Sequence, residues 1–191
     1  MTKMSKKHRE NSPLEEFKEV FHGDHREIRD TLLKLNDAFK NKNKQRAASL
    51  IKKLPLLCSP HFRYEEEALH PALEKICGRA FIENMNYEHD KEIIMALQLE
   101  ILLARPGLTA TDARTGQRLV HSMMHHIIEC DGLSIMAELL PESTIKDILD
   151  TRKKARNENL PLLEWIVSAR KHSLRPTFER ELYATLKVAR T

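Results

Sequence analysis

The chain has 191 residues, enough for one domain with a real core and short for two. Its 41% apolar and 31% charged content, with only five glycines and eight prolines, excludes fibrous and disordered classes and fits a soluble helical protein. The net charge of +4 is only mildly basic, no run approaches the roughly 18 apolar residues of a membrane span, and the charged N-terminus lacks an apolar stretch. Nucleic-acid binding, membrane insertion and a secretory signal are therefore not expected. The three cysteines Cys58, Cys77 and Cys130 are odd in number, sit in apolar or helical text and form no C-x-x-C pair. Reduced thiols in the cytoplasm are the expectation.

Residues 1–12 read as a polar, flexible tail. Ser12-Pro13 then opens a helix, with Ser12 as cap, Pro13 in the first turn and Glu15 and Glu16 near the positive end of the helix dipole. Its apolar stripe runs Leu14, Phe17, Phe21, His25, Ile28, Leu32, Leu35, Phe39 in steps of three and four, and His25 takes a slot that an apolar residue would normally fill. Residues 41–44 form a loop. A second helix is predicted from Gln45 to Ile76, interrupted or kinked near Pro55 and Pro60, with Gly78 as its stop. A third runs from Ala80 to Ala104, carries Met85, His89 and Ile93 on one face, and ends at Arg105-Pro106-Gly107. Thr111-Asp112 caps a fourth helix that continues to Leu140. Pro141 opens a fifth, to Arg156, and the remainder forms one or two helices broken near Arg175-Pro176. Short loops make the first four helices antiparallel neighbours, so the expected fold is all-α, an up-down-up-down four-helix bundle. The expected division is a tail over 1–12, a bundle over 13–140 and a helical extension over 141–191.

A repeat links the two halves. His89 lies 64 residues after His25, and His125 and Glu129 lie 64 after His61 and Glu65. Residues four apart on a helix share a face, so each His-x-x-x-Glu pair can put an imidazole and a carboxylate into one space. His25 and His89 add an imidazole each from the other two helices. Imidazole suits iron, zinc and copper, while carboxylates suit harder ions and can bridge two of them. An unpaired buried carboxylate costs several kcal/mol, which a metal ion offsets. His25, His61, Glu65, His89, His125 and Glu129 are thus the candidate ligands of two metal ions.

The fourth helix also offers a second register. His126 and Asp131 stand five apart, and the stripe Leu119, Met123, His126, Cys130, Leu133, Ala137 is more apolar than the one through His125. The 64-residue offset, and Leu133 placed eight after His125 as Leu69 is eight after His61, favour His125 and Glu129. His121 is a further alternate. His70, nine after His61, is expected on the opposite, exposed face. Asp24, Glu66, Glu67 and Glu88 are candidates for hydrogen bonds to the ligand imidazoles.

Four stretches carry a family resemblance: Asp24-His25-Arg26-Glu27-Ile28; His61 to Pro71, reading His-x-x-x-Glu-Glu-x-x-Leu-x-Pro; Glu88-His89; and His125 to Leu133. Together they resemble the hemerythrin-like, or HHE cation-binding, domain over about residues 14–140. The resemblance implies a non-haem di-iron centre inside the bundle, its two iron ions bridged by oxide or hydroxide and held by the six candidates. Oxygen-carrying hemerythrins have a His-x-x-x-His pair on the third helix. Here Met85 stands four before His89, and the one His-x-x-x-His is His121/His125. The His126/Asp131 spacing matches the fourth helix of those carriers.

The first functional expectation is a protein that binds or senses O₂, nitric oxide or iron. The alternative is a di-iron enzyme acting on peroxide, nitric oxide or Fe²⁺, or returning iron to iron–sulfur centres, because the missing histidine frees a coordination position. A metal-free helical interaction protein is the third. Small ligands are the expected partners. Trp165, Ile166, Leu182 and Leu186 leave three roles open to the extension: covering the bundle, pairing two copies as a homodimer, or receiving another partner.

Overall fold

Ser12 begins the regular structure as the sequence predicts. Its hydroxyl accepts from the Glu15 amide at 3.3 Å while the Glu15 carboxylate accepts from the Ser12 amide at 2.9 Å, which satisfies two orphan donors at the start of α1 (Pro13–Lys40). The computed structural model describes residues 12–170 and 176–189, and every regular element among them is helical. Of the tail expected over residues 1–12 only Ser12 is among them, and of the break expected near Arg175-Pro176 only Pro176 is.

The second predicted helix is present but breaks elsewhere. α2 (Lys44–Tyr64), capped by the Asn43 side chain, runs through both Pro55 and Pro60. The interruption comes later, where Glu65–Leu69 widen into a π turn and the His70 amide donates to the Glu65 carbonyl. Pro71 follows directly, and its ring would meet the carbonyl of Glu67 in a regular α turn. α3 (His70–Cys77) completes the segment and ends at Gly78, whose φ of 85° is a conformation that favours glycine.

α4 (Arg79–Ala104) and α5 (Ala110–Met136) follow. Thr109, two residues before the predicted cap, is the one that caps α5, because it exchanges hydrogen bonds with Asp112 in a capping box. A short 3₁₀ turn (Ala137–Leu139) leads to α6 (Glu142–Glu158), α7 (Leu162–Ser168) and α8 (Pro176–Ala189). α1 packs along α2 and α5, and α4 packs on the same two helices, so the four long helices form a closed ring of neighbours. α6 lies against α1 and α2, α7 against α2, and α8 along α4. α1 and α5 approach closely at Gly116, where an added Cβ would stand 2.5 Å from the Phe39 ring.

Two apolar clusters fill the ring. One contains Leu32, Leu35, Phe39, Leu54, Leu99 and Val120, and the other Phe17, Phe21, Leu69, Leu73, Met85 and Leu133. Along each long helix the buried histidine falls between residues of the two clusters: His25 between Phe21 and Ile28, His89 between Met85 and Ile93. Trp165, with no exposed surface, and Ile166 join the first cluster, so these two residues of the extension cover the bundle. The side chains of Leu182 and Leu186 lie outside the described residues. Among the described residues no helix is long and apolar enough to cross a membrane.

Candidate metal centre

The polar layer between the two clusters is built from one residue per turn on four helices. α1 supplies His25, α2 and its π turn supply His61 and Glu65, α4 supplies His89, and α5 supplies His126 and Cys130, all buried. Their donor atoms fall into two groups that share Glu65. In the first, donors of His25, His61 and Glu65 lie within 4.8 Å of one another; in the second, donors of Glu65, His89, His126 and Cys130 do. The His25 and His61 rings are 4.6 Å apart, and the His89 and His126 rings 4.7 Å.

Four of the six sequence candidates therefore converge: His25, His61, Glu65 and His89. The other two do not. His125 and Glu129 are exposed on the outer face of α5, beside Glu88, Lys91 and Ser122 in a surface pocket of about 520 Å³. The apolar stripe on α5 runs through Met123, His126, Cys130 and Leu133, and burial of that stripe turns His126 inward and His125, about 100° away, outward. The alternate His121 is also exposed. Asp131 is exposed as well, yet its carboxylate reaches the edge of the layer and accepts from His25 Nδ1 at 3.1 Å.

Three of the inward imidazoles, those of His25, His61 and His89, are held from behind. With Asp131 on Nδ1, His25 turns Nε2 inward. His61 places Nδ1 3.2 Å from the Tyr64 hydroxyl and 3.8 Å from Asp24, again leaving Nε2 inward. His89 donates from Nδ1 to Glu66 at 2.9 Å and from Nε2 to Glu65 at 3.0 Å. The extension in turn holds the backing carboxylates. Arg152 makes a two-pronged contact with Asp24 at 2.7 and 2.8 Å, joined by Arg156 at 2.6 Å. Arg170 grips Glu66 at 2.6 and 2.8 Å and Asp90 at 2.6 Å. Of the proposed helpers, Glu66 and Asp24 thus back imidazoles, whereas Glu67 takes Arg63 and Trp165, and Glu88 takes Lys91. No local sequence signal marks Arg152 or Arg170, because Asp24 lies 128 residues from Arg152, and Glu66 and Asp90 lie 104 and 80 residues from Arg170.

His70 is fully buried, against the exposed position expected for it. The π turn explains this. Bonding from i to i+5 spreads a turn over an extra residue and lags the helix face by roughly one residue's 100°. The lag carries His70 from the outer face to the inner one, where its ring stacks at 5.4 Å on His89 and Nδ1 lies 2.6 Å from Asn86.

The charges of the layer are strongly coupled. Burial works against ionising Glu65, but His61 and His89 outweigh it and hold its carboxyl well below the ordinary range. Burial likewise opposes charge on His89, and the flanking Glu65 and Glu66 raise it from 6.5 to about 9. Burial, then His61, pushes His25 down to about 4; burial, then His89, carries His126 well below its ordinary value. The layer thus holds neutral imidazoles at His25 and His126, and at His89 an imidazolium whose two N–H groups each meet a carboxylate.

Whether these residues fit a metal ion is decided by their unused atoms. Among the described residues only five buried side-chain polar atoms lack a hydrogen-bond partner, and His25 Nε2, His61 Nε2 and Glu65 Oε1 are three of them. They face each other at 3.4 Å (His61 to Glu65) and 4.0 Å (His25 to Glu65). Two imidazole nitrogens and a carboxylate oxygen, each left without a partner in one dry space, are the donor set a first-row dication takes. The residues fit. The profile of the hemerythrin HHE cation-binding domain matches residues 17–132. No match was found among curated proteins or solved structures. The matched stretch spans more than half of the chain and includes every converging donor, and the chain belongs to the hemerythrin HHE cation-binding domain family.

Proposed function

We propose that the chain is a cytoplasmic, hemerythrin-like non-haem di-iron protein that binds or senses O₂, nitric oxide or iron inside an up-down-up-down bundle of α1, α2, α4 and α5. The observation that carries this reading is the trio of partnerless buried atoms, His25 Nε2, His61 Nε2 and Glu65 Oε1. Burying them unsatisfied costs about 1–3 kcal/mol each, a cost that a bound cation removes. Glu65 would be shared by both ions on this reading, since Oε1 faces His25 and His61, and Oε2 faces His89. His126 takes the place first expected of His125. Residues 13–140 form the metal-binding bundle and 141–191 the extension that contributes Arg152 and Arg170.

Iron held here supplies electrons and open coordination positions for a diatomic ligand. The protein's own part is orientation and exclusion of water. Asp131, the pair Tyr64 and Asp24, and Glu66 fix the Nδ1 side of three imidazoles, so that each offers Nε2 inward. The apolar clusters on both sides keep the layer dry. Protonated His89, with one N–H on Glu65 and one on Glu66, puts positive charge beside the donors, and its Nε2 would have to give up its proton to hold a metal ion.

The test is anaerobic reconstitution with Fe²⁺, a metal count, and optical spectra before and after O₂ or nitric oxide. The expected outcome is two irons per chain and a spectral change on adding either gas. Less than one iron per chain, with unfolding unaffected by Fe²⁺, sinks the reading.

A further inference from the structure

The two donor groups differ in kind, and the difference lies at one residue. On α2 the position four after the inward histidine is a carboxylate, Glu65 after His61. On α5 it is a thiol, Cys130 after His126. Cys130 has no exposed surface, and its sulfur lies 3.4 Å from both ring nitrogens of His126. Glu65, His89, His126 and Cys130 are all buried, with donors mutually within 4.8 Å. Two nitrogens, one oxygen and one sulfur make a complete four-donor set of the kind that zinc, cobalt and ferrous iron take, and a soft thiolate disfavours magnesium, calcium and manganese.

We propose that Cys130 binds as a thiolate to the ion held by Glu65, His89 and His126, so that this subsite selects a thiophilic dication while the His25, His61, Glu65 subsite does not. The inference rests on the di-metal reading above. The bond forms between sulfur and metal, the thiol proton leaves to solvent, and no oxidation state changes. A thiol that coordinates a dication is held as the thiolate. Glu65 and the thiolate together then match the charge of one dication.

Cobalt(II) titration of the metal-free protein under anaerobic conditions tests this. The expected result is a near-ultraviolet thiolate-to-cobalt charge-transfer band that develops with one of two bound cobalt ions. Cys130→Ser abolishes the band and weakens that ion's binding by at least about tenfold, since even the partners behind ligands are worth roughly 10–100-fold. The first ion stays in place. The Cys58→Ala/Cys77→Ala variant keeps Cys130 as its sole thiol and retains the band, which holds the test open should Cys130→Ser fail to fold. Two bound cobalt ions without the band, or a band lost in the double variant, overturn the thiolate assignment and leave the di-metal reading standing. No bound cobalt and no bound iron overturn both.

Discussion

α2 and α5 read alike and are used differently. Both carry His-x-x-x-Glu at the same point of a 64-residue repeat, yet α2 turns His61 and Glu65 into the interior and α5 turns His125 and Glu129 to solvent. On α5 the interior instead receives His126 and Cys130. The comparison teaches that a four-residue spacing says which side chains share a face and not which face is buried. The apolar stripe decides that, because burial of Met123, Cys130 and Leu133 stabilises far more than any gain from aligning two copies of a motif.

The sharpest way to break this comparison is by metal content. Glu65→Ala removes the residue shared by both donor groups and is expected to abolish iron binding, while Glu129→Ala keeps the full complement by atomic absorption. His126→Ala is expected to lose one ion and His125→Ala none. Loss of an ion in His125→Ala and Glu129→Ala, with none in His126→Ala, would mean that α5 presents the other register in solution.

The same inward and outward faces of α5 are open to a smaller test. Gly116 faces the Phe39 ring, and Gly132 has nothing within 4 Å of an added Cβ. Gly116→Ala is expected to destabilise by about 1–3 kcal/mol through overpacking, and Gly132→Ala to stabilise by about 0.5–1 kcal/mol through helix propensity. Denaturant midpoints with unchanged slopes would report both.

A further effect is expected on the pH dependence of the metal-free protein. His89 titrates near 9 when folded against an ordinary 6.5, so its contribution is fully present below about 6.5 and disappears as pH climbs through 9. Glu66, held near 2 against 4.5, contributes above about 4.5 and loses this as pH falls toward 2. Urea midpoints followed from pH 6 to pH 10 should decline across the alkaline window. The decline should become shallower and begin at lower pH in Glu66→Gln, which removes one of the two carboxylate charges that hold the His89 proton.

Much of the site was legible in residue order. His25 interrupts an apolar stripe, His61 and Glu65 stand one helical turn apart, and Ser12 with Glu15 spells a capping box. These are local facts set by the 3.6-residue period and by unsatisfied amides at a helix end. The stripe through His126 and Cys130 was equally visible, and the repeat outvoted it. His70 was misplaced because angular counting assumes a uniform helix, and the π turn before Pro71 is not one. Arg152 and Arg170 had no signal, since they meet Asp24 and Glu66 only through the docking of α6 and of the turn after α7.

By itself the sequence determined the helices, the amphipathic faces and the chemical nature of the donors, because these follow from short-range periodicity and residue type. Tertiary packing alone decided which of the two His-x-x-x-Glu pairs faces inward and which distant arginines pin the carboxylates. It also decided that a thiol, rather than a second carboxylate, completes the second group of donors. Those outcomes depend on which of several nearly equivalent faces buries the most apolar surface, a quantity that exists only once the helices are against one another.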